Sequence, residues 1–535
     1  MLASLNISSY FTPLFVVVFL PATIVLYALV PKRVRPYVLL VSSYLFAFSL
    51  SGLLVGYLVA TTIATYLAGL GMRRIIAKRD AAIAEDPSTK RAAKKICKKR
   101  MRLLLAAGII IGFGILIALK YLGFFGNAAS SLLHLFGFDV SFSAPKIGVP
   151  IGISFYTLMA ASYLVDVYRE TVGADANFGR LALFLSFFPQ IMEGPICRYD
   201  QTSAALWDGR AITFDNLYRG MLRITIGFAK KFIIANRLNL FVKPVFDNYA
   251  SYDGGIIALA AILYTIQLYC DFSGCMDVAI GTANIFGVNP PENFRQPFFS
   301  KTASEFWQRW HITLGAWFKD YVYYPISLSA PVRKLTTKAR KRFGSRYGPM
   351  ITGSIALFCV WFGNGLWHGA GSQYLFFGMY YFVLIVCGGL IEPTAQALAS
   401  KLGIDRDAAA YKAFRIGRTL VVIFVGELFF RANGLIAGFE MFSQIITNFS
   451  LDAFFDGRIF AVGMGAADFG VAAVFTALVV AADVARERKL DLVGIVTAKS
   501  VPARWAVWIA VFLLVVVFGA YGFGYVPLDP MYAQF

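Results

Sequence analysis

Charge is scarce in this sequence, and negative charge scarcer still. Only 15% of its 535 residues are charged, 30 acidic against 50 basic, while 58% are hydrophobic and the mean hydropathy is +0.65. A water-soluble globule of that composition would expose more apolar surface than it could keep dispersed. Histidine is nearly absent: His134, His311 and His368 are the three in the chain. There is no HExxH motif and no closely spaced pair of ligands, so no metal site is expected. The six cysteines (Cys97, Cys197, Cys270, Cys275, Cys359, Cys387) lack CxxC spacing and read as small buried hydrophobes. Internal repeats are also missing, which weighs against a transporter or flippase built from duplicated halves. The first apolar run has no basic region ahead of it and is long enough to span, so it does not read as a cleavable signal peptide.

What the chain has instead is apolar length. Tyr10–Val30 is 21 residues without a charge, Tyr37–Met72 is 36, with room for two passes joined near Ser49–Gly52, and Gly348–Ile391 is 44. A bilayer needs about 20 residues per helix. Leu103–Leu119, Ile147–Val165, Gly254–Cys270, Thr419–Phe430, Phe469–Ala482 and Trp505–Leu528 add further spans. Met221–Leu240 reads as a tilted helix whose Lys230, Lys231 and Arg237 snorkel to the headgroups. Leu181–Met192 is too short to cross and runs into Glu193-Gly194-Pro195, as a re-entrant segment sheltered by protein would. The pattern predicts an all-α polytopic membrane protein.

The net charge of +20 is concentrated. Arg73–Arg102 holds twelve basic residues against three acids, and Val332–Arg346 holds seven against none. Together with the linker Arg486–Arg504, these read as cytoplasmic segments under the positive-inside rule, with both chain ends outside. Topology accounts for the charge without a nucleic-acid partner. Arg73–Arg102 is expected as a surface helix on anionic membrane lipid, or as a docking face for an acidic acyl carrier protein.

Chemistry gathers in 292–325, with three Trp, three Tyr and His311, and again at His368 inside the 44-residue uncharged run. On one helix over 306–323, Trp307, Trp310, His311, Leu314 and Trp317 would share a face, with Glu305 and Arg309 paired on the other. His368 follows Asn364 and Trp361 by one and two helical turns, among glycines. A neutral imidazole can take a proton from a hydroxyl and return it to a leaving group, and aromatic walls favour transfer over hydrolysis. Asp271 and Asp277 fall where a span should still be buried. Either they serve function or other side chains satisfy them. His134 reads as an interfacial residue without chemistry.

Six blocks carry a family resemblance: PIGISFYTLMAASYLVDVYR (150–169), FFPQIMEGPICRY (187–199), YCDFSGCMDVAIG (269–281), PENFRQPF (291–298), FWQRWHITLGAWFKDYVYYP (306–325) and GLWHGAG (365–371). In order and spacing they resemble the membrane-bound O-acyltransferases, and within them the bacterial branch that O-acetylates alginate or D-alanylates teichoic acid. The length is nearer the alginate type. The resemblance implies a ring of roughly eleven helices around a central funnel, with N-terminal helices in 1–145, a catalytic core in 146–432 and C-terminal helices in 433–535. It implies His368 as the catalytic histidine and His311 as the second active-site histidine. Trp307, Trp310, Trp367, Asn364, Asp271 and Ser273 are expected along the substrate path. No bound cofactor is implied. The acyl group comes from a cytoplasmic thioester, acetyl-CoA or an acylated carrier protein, and an extracytoplasmic SGNH-type partner completes transfer to a polysaccharide. Glu427, in GELFFRA, stands where an aromatic is expected. It is read as the i,i+4 partner of Arg431, without a catalytic role.

Overall fold

The computed structural model describes residues 7–139, 142, 148–521 and 525, and every regular element in them is helical. A single β-bridge, Phe294 with Trp310, is the only pairing of extended backbone among the described residues. Among the described residues, seven helical stretches are long and apolar enough to cross a bilayer, with shorter apolar helices at Leu14–Leu29 and Leu435–Thr447. The protein is an all-α, multi-pass membrane protein. One of these stretches, Arg35–Glu85, holds two helices where two passes are expected, and other apolar runs form shorter helices such as Ile153–Arg169. The described residues divide into two compact units, one drawn from 7–224 and 278–291, the other from 225–277 and the residues after 291.

In the first unit, α1 (Arg35–Ser51) and α2 (Val55–Glu85) meet at Gly52, whose φ of 56° is open to glycine at little cost. A turn at Asp86–Thr89 then joins α2 to α3 (Lys90–Leu116), and the Asp86 carboxylate accepts the Ser88 N–H at 2.9 Å. The basic segment Arg73–Arg102 is therefore the far end of two membrane helices and their turn, not a separate helix lying on lipid. Its residues are good helix formers, and Asp86-Pro87 is the one local breaker. Beyond α3 the helix runs on through a π turn to Leu135. His134, near its end, is exposed and pairs with Asp139 at 3.0 Å.

The next helix, α4 (Ile153–Arg169), is buried over most of its length, and the expected start of its span at Ile147 lies outside the described residues. The short run 181–192 breaks at Phe187 into α5 (Phe178–Ser186) and a single turn, Phe188–Ile191. Every residue from Leu181 to Met192 is buried, the condition that irregular backbone at membrane depth demands.

The chain enters the second unit near the end of α6 (Phe214–Phe228), which passes through a π turn, Ala229–Ala235, into α7 (Asn236–Asp247). Here the expected snorkelling is replaced by burial. Lys230 Nζ reaches Asp277 at 2.7 Å, Lys231 Nζ reaches Asp271 at 2.6 Å, and Arg237 pairs with Asp468. Asp271 and Asp277 sit on the facing helix α8 (Gly254–Ile285) and Asp468 in the first turn of a later helix, Ala466–Glu487, so pairing removes the need to reach water. The stretch 306–323 is not one helix: α9 (Ala303–Arg309) ends before His311 and α10 (Ile312–Phe318) starts after it.

After these, α11 (Ala330–His368) bends at Gly344, with φ 79°, and ends at the histidine. The basic run Val332–Arg346, expected as a loop, is helical on both sides of that bend. Then α12 (Ser372–Lys401), α13 (Ala409–Arg431), α14 (Ala466–Glu487) and α15 (Val501–Phe518) complete the unit. The expected end of the last span at Leu528, and both chain termini, lie outside the described residues. Helices α11 and α12 touch backbone to backbone: a Cβ on Gly378 would lie 2.3 Å from the Trp361 carbonyl oxygen. Arg431 does not pair with Glu427. Its guanidinium lies 3.9 Å from Asp247 and over the Phe246 ring.

The Lys231–Asp271 pair is shut away, with side-chain exposures of 2% and 8%. Lys231→Met leaves a buried carboxylate alone and should cost about 3 kcal/mol, whereas Lys231→Met/Asp271→Leu should recover part of that. Thermal unfolding of detergent-purified variants checks this, and a double variant less stable than either single one would contradict it.

Candidate active site

His311 occupies a left-handed backbone position, φ 47° and ψ 49°, that a residue with a side chain seldom adopts. Asn293 holds it there. The Asn293 side-chain oxygen accepts the Thr313 N–H and the Thr313 hydroxyl, both at 3.0 Å, while its carbonyl accepts the Ile312 N–H at 3.0 Å. One turn back, the Arg295 N–H donates to the Arg309 carbonyl at 2.9 Å. The chain thus doubles back on 293–295 between α9 and α10, and the kink swings His311 out of the helical register. His311 Nδ1 lies 3.3 Å from the same Asn293 oxygen. An amide oxygen can only accept, so this contact is a hydrogen bond in the tautomer that carries the proton on Nδ1 and the lone pair on Nε2.

Both rings lie in an aromatic enclosure. His311 is 2% exposed and meets Phe272 edge-on at 4.8 Å between ring centroids. His368 is 4% exposed and meets Phe430 at 5.2 Å and Phe377 at 5.9 Å. Trp367 touches both histidines, at 5.4 Å from His311 and 5.0 Å from His368. Fifty-seven residues apart in sequence, the two imidazoles come to one place. Burial holds the His311 pKa well below its usual value, and the neighbouring His368 pushes the same way. Imidazoles shielded from water in this way can accept, hold and return a proton.

The other expected residues divide. Trp367 lies at the histidines. Asn364, 6% exposed, is one turn before His368 on α11. Trp307 faces Trp361 at 5.0 Å and Tyr381 at 4.9 Å. Trp310 packs against Phe294 at 4.9 Å and Phe306 at 5.4 Å, with no ring contact to either histidine. Asp271 and Ser273 flank Phe272 on α8. Asp271 is committed to Lys231, while Ser273 Oγ is buried with no partner among the described residues. Among the described residues, no group of three or more His, Cys, Asp or Glu is placed to hold a metal ion. The functional residue that the sequence did not single out is Asn293. Neither charge nor periodicity marks it, and only its place in the non-helical PENFRQPF block hints at a structural task.

Residues 153–339, which include His311, match the family model of the membrane-bound O-acyltransferases (MBOAT). A probable alginate O-acetylase AlgI from Azotobacter vinelandii is 31% identical over 81% of this chain and 77% of its own length. The chain belongs to the membrane-bound O-acyltransferase family. It is an acyltransferase, and the two-histidine enclosure is its candidate site. A peptidoglycan O-acetyltransferase from Helicobacter pylori is 30% identical over 52% of this chain and 54% of its own length. A teichoic acid D-alanyltransferase from Bacillus subtilis is 32% identical over 45% of this chain and 59% of its own length.

Two outcomes follow from this geometry. Asn293→Ala removes the acceptor that fixes the His311 turn and should lower acyl transfer about tenfold or more at equal membrane content. Unchanged turnover would show that the turn holds without it. Because its pKa is depressed, His311 stays neutral as pH falls through about 6.5, where a free imidazole gains charge. The pH profile of kcat/KM should then carry no His311 limb near pH 6.5. An acid limb there that disappears in His311→Gln would contradict this.

Proposed function

We propose that the protein moves an acetyl group from a cytoplasmic thioester to the outer side of the cell membrane, for O-acylation of an exported or cell-wall polysaccharide. The observation that carries this reading is the convergence of His311 and His368 on Trp367 inside a water-excluding aromatic wall. In the reaction, His368 takes the proton of the acceptor hydroxyl as its oxygen attacks the thioester carbonyl. The tetrahedral intermediate expels the thiolate, and His368 returns the proton to sulfur. His311, neutral and oriented by Asn293, offers a second imidazole beside the reacting carbonyl. Trp307, Trp310, Trp367, Asn364, Asp271 and Ser273 are assigned to the substrate path, with Trp310 and Asp271 acting through packing and pairing.

The basic ends of α2 and α3, and separately that of α11, are read as cytoplasmic by their charge and suit CoA phosphates or an acidic carrier protein. An extracytoplasmic SGNH-type partner is assigned the final transfer to the polymer. Likeness to the alginate relative over most of the chain favours acetyl. D-alanyl transfer to teichoic acid is the alternative, supported by the shorter match.

His368→Ala should abolish O-acyl groups on the envelope polymer, and His311→Ala should reduce them by a factor of about ten to a hundred. Acyl content per polymer mass, measured at matched protein levels, checks both. Full acylation with His368→Ala would refute the assignment.

A further inference from the structure

Four buried polar atoms on four helices have no hydrogen-bond partner among the described residues: Asn364 Oδ1, one helical turn from His368, and Tyr381 Oη, Glu427 Oε2 and Trp307 Nε1. They share one neighbourhood. The Tyr381 ring meets Trp307 at 4.9 Å and Trp361 at 5.6 Å, and a Cβ on Gly426, next to Glu427, would lie 2.6 Å from the Tyr381 hydroxyl. Three of the four helices repeat the same relation to the catalytic level. Asn364 precedes His368 by a turn on α11, Tyr381 follows Phe377 by a turn on α12, and Glu427 precedes Phe430 by nearly a turn on α13. Phe377 and Phe430 are the rings that wall His368. Glu427 is 2% exposed and Tyr381 fully buried, so water at the surface satisfies neither. Buried polar atoms left open are rare, and several at one level beside a reactive group point to a ligand.

Resting on the acyl-transfer reading above, we propose that Glu427, Tyr381, Trp307 and Asn364 form a hydrogen-bonding layer that grips the first amide of the donor's pantetheine arm. An amide brings one N–H and one carbonyl. Tyr381 O–H and Trp307 N–H donate to the carbonyl, and the Asn364 oxygen and the Glu427 carboxyl accept from the N–H. In a pantetheine thioester that amide lies a cysteamine unit beyond the reacting carbonyl, a reach of about one helical turn. The layer also lies on the correct side. On both α11 and α13 it falls between the basic end, Val332–Arg346 or Lys412–Arg418, and the level of His368. It therefore faces a donor arriving from the cytoplasm. CoA and an acyl carrier protein bear the same arm, so the layer reads the arm and not its carrier.

The test uses detergent-solubilised membranes of the expressing cell, which retain the full-length protein, its SGNH-type partner and the polysaccharide, and reads thiol release. S-acetylpantetheine is compared with ethyl thioacetate, which has no amide, and acetyl-CoA and an acetylated carrier protein run alongside to identify the carrier. Wild type should prefer S-acetylpantetheine in kcat/KM, and Tyr381→Phe and Glu427→Leu should each lower that preference about tenfold, chiefly through KM. If both thioesters lose rate alike in both variants, or the preference does not move, the layer serves the fold and the proposal falls while acyl transfer stands. If wild type releases thiol from none of the four donors, the acyl-transfer reading fails and this inference with it.

Discussion

The side-chain oxygen of Asn293 is where the candidate site begins. A residue with a Cβ pays to sit at φ 47°, and nothing in the local sequence WHITL would put it there. The cost is met because Thr313 and Ile312 find their hydrogen-bond partners on Asn293 only when the chain turns at His311. Without the turn, α9 and α10 would be one helix. His311 would then lie along its apolar face and not against Phe272 and Trp367. The same oxygen also selects the tautomer, so one asparagine sets the position, orientation and proton of an imidazole.

The second histidine is delivered by close packing. Glycines at 365 and 378 bring α11 and α12 to backbone contact, and the short Gly369–Gly371 link ends α11 at His368. Around this point the aromatics form a continuous wall, and within the wall the polar atoms are few and specific. Farther along the unit, buried charges come in pairs between the π turn and α8. They lock Phe272 behind His311 through its neighbour Asp271. Near His368 the polar atoms differ from these pairs: Asn364 Oδ1 and Trp307 Nε1 are buried without a partner among the described residues.

Much of this was legible in the sequence. Hydropathy and scarce charge gave the all-α membrane class, and two histidines in aromatic, glycine-bounded stretches marked the site. What was not legible depended on residues distant in sequence. Periodicity continued a helix through His311, because the breaking interaction comes from Asn293. Lys230 and Lys231 looked like snorkelling residues because their carboxylates lie 47 and 40 residues downstream. Glu427 and Arg431 have ideal helical spacing, yet Arg431 turns to Asp247 and Phe246, leaving the carboxyl inside the protein. The basic stretches read as loops and a surface helix because local charge says nothing about where a long helix stops.

That His311 and His368 act as one site is the claim on which the mechanism rests. A double-mutant cycle on kcat/KM for acyl transfer, with His311→Ala, His368→Ala and the pair, tests it most directly. If they work as a unit, the double variant should be no slower than His368→Ala within about threefold, so the losses do not multiply. Losses that multiply in full would mean that the two histidines serve separate steps, whatever their proximity.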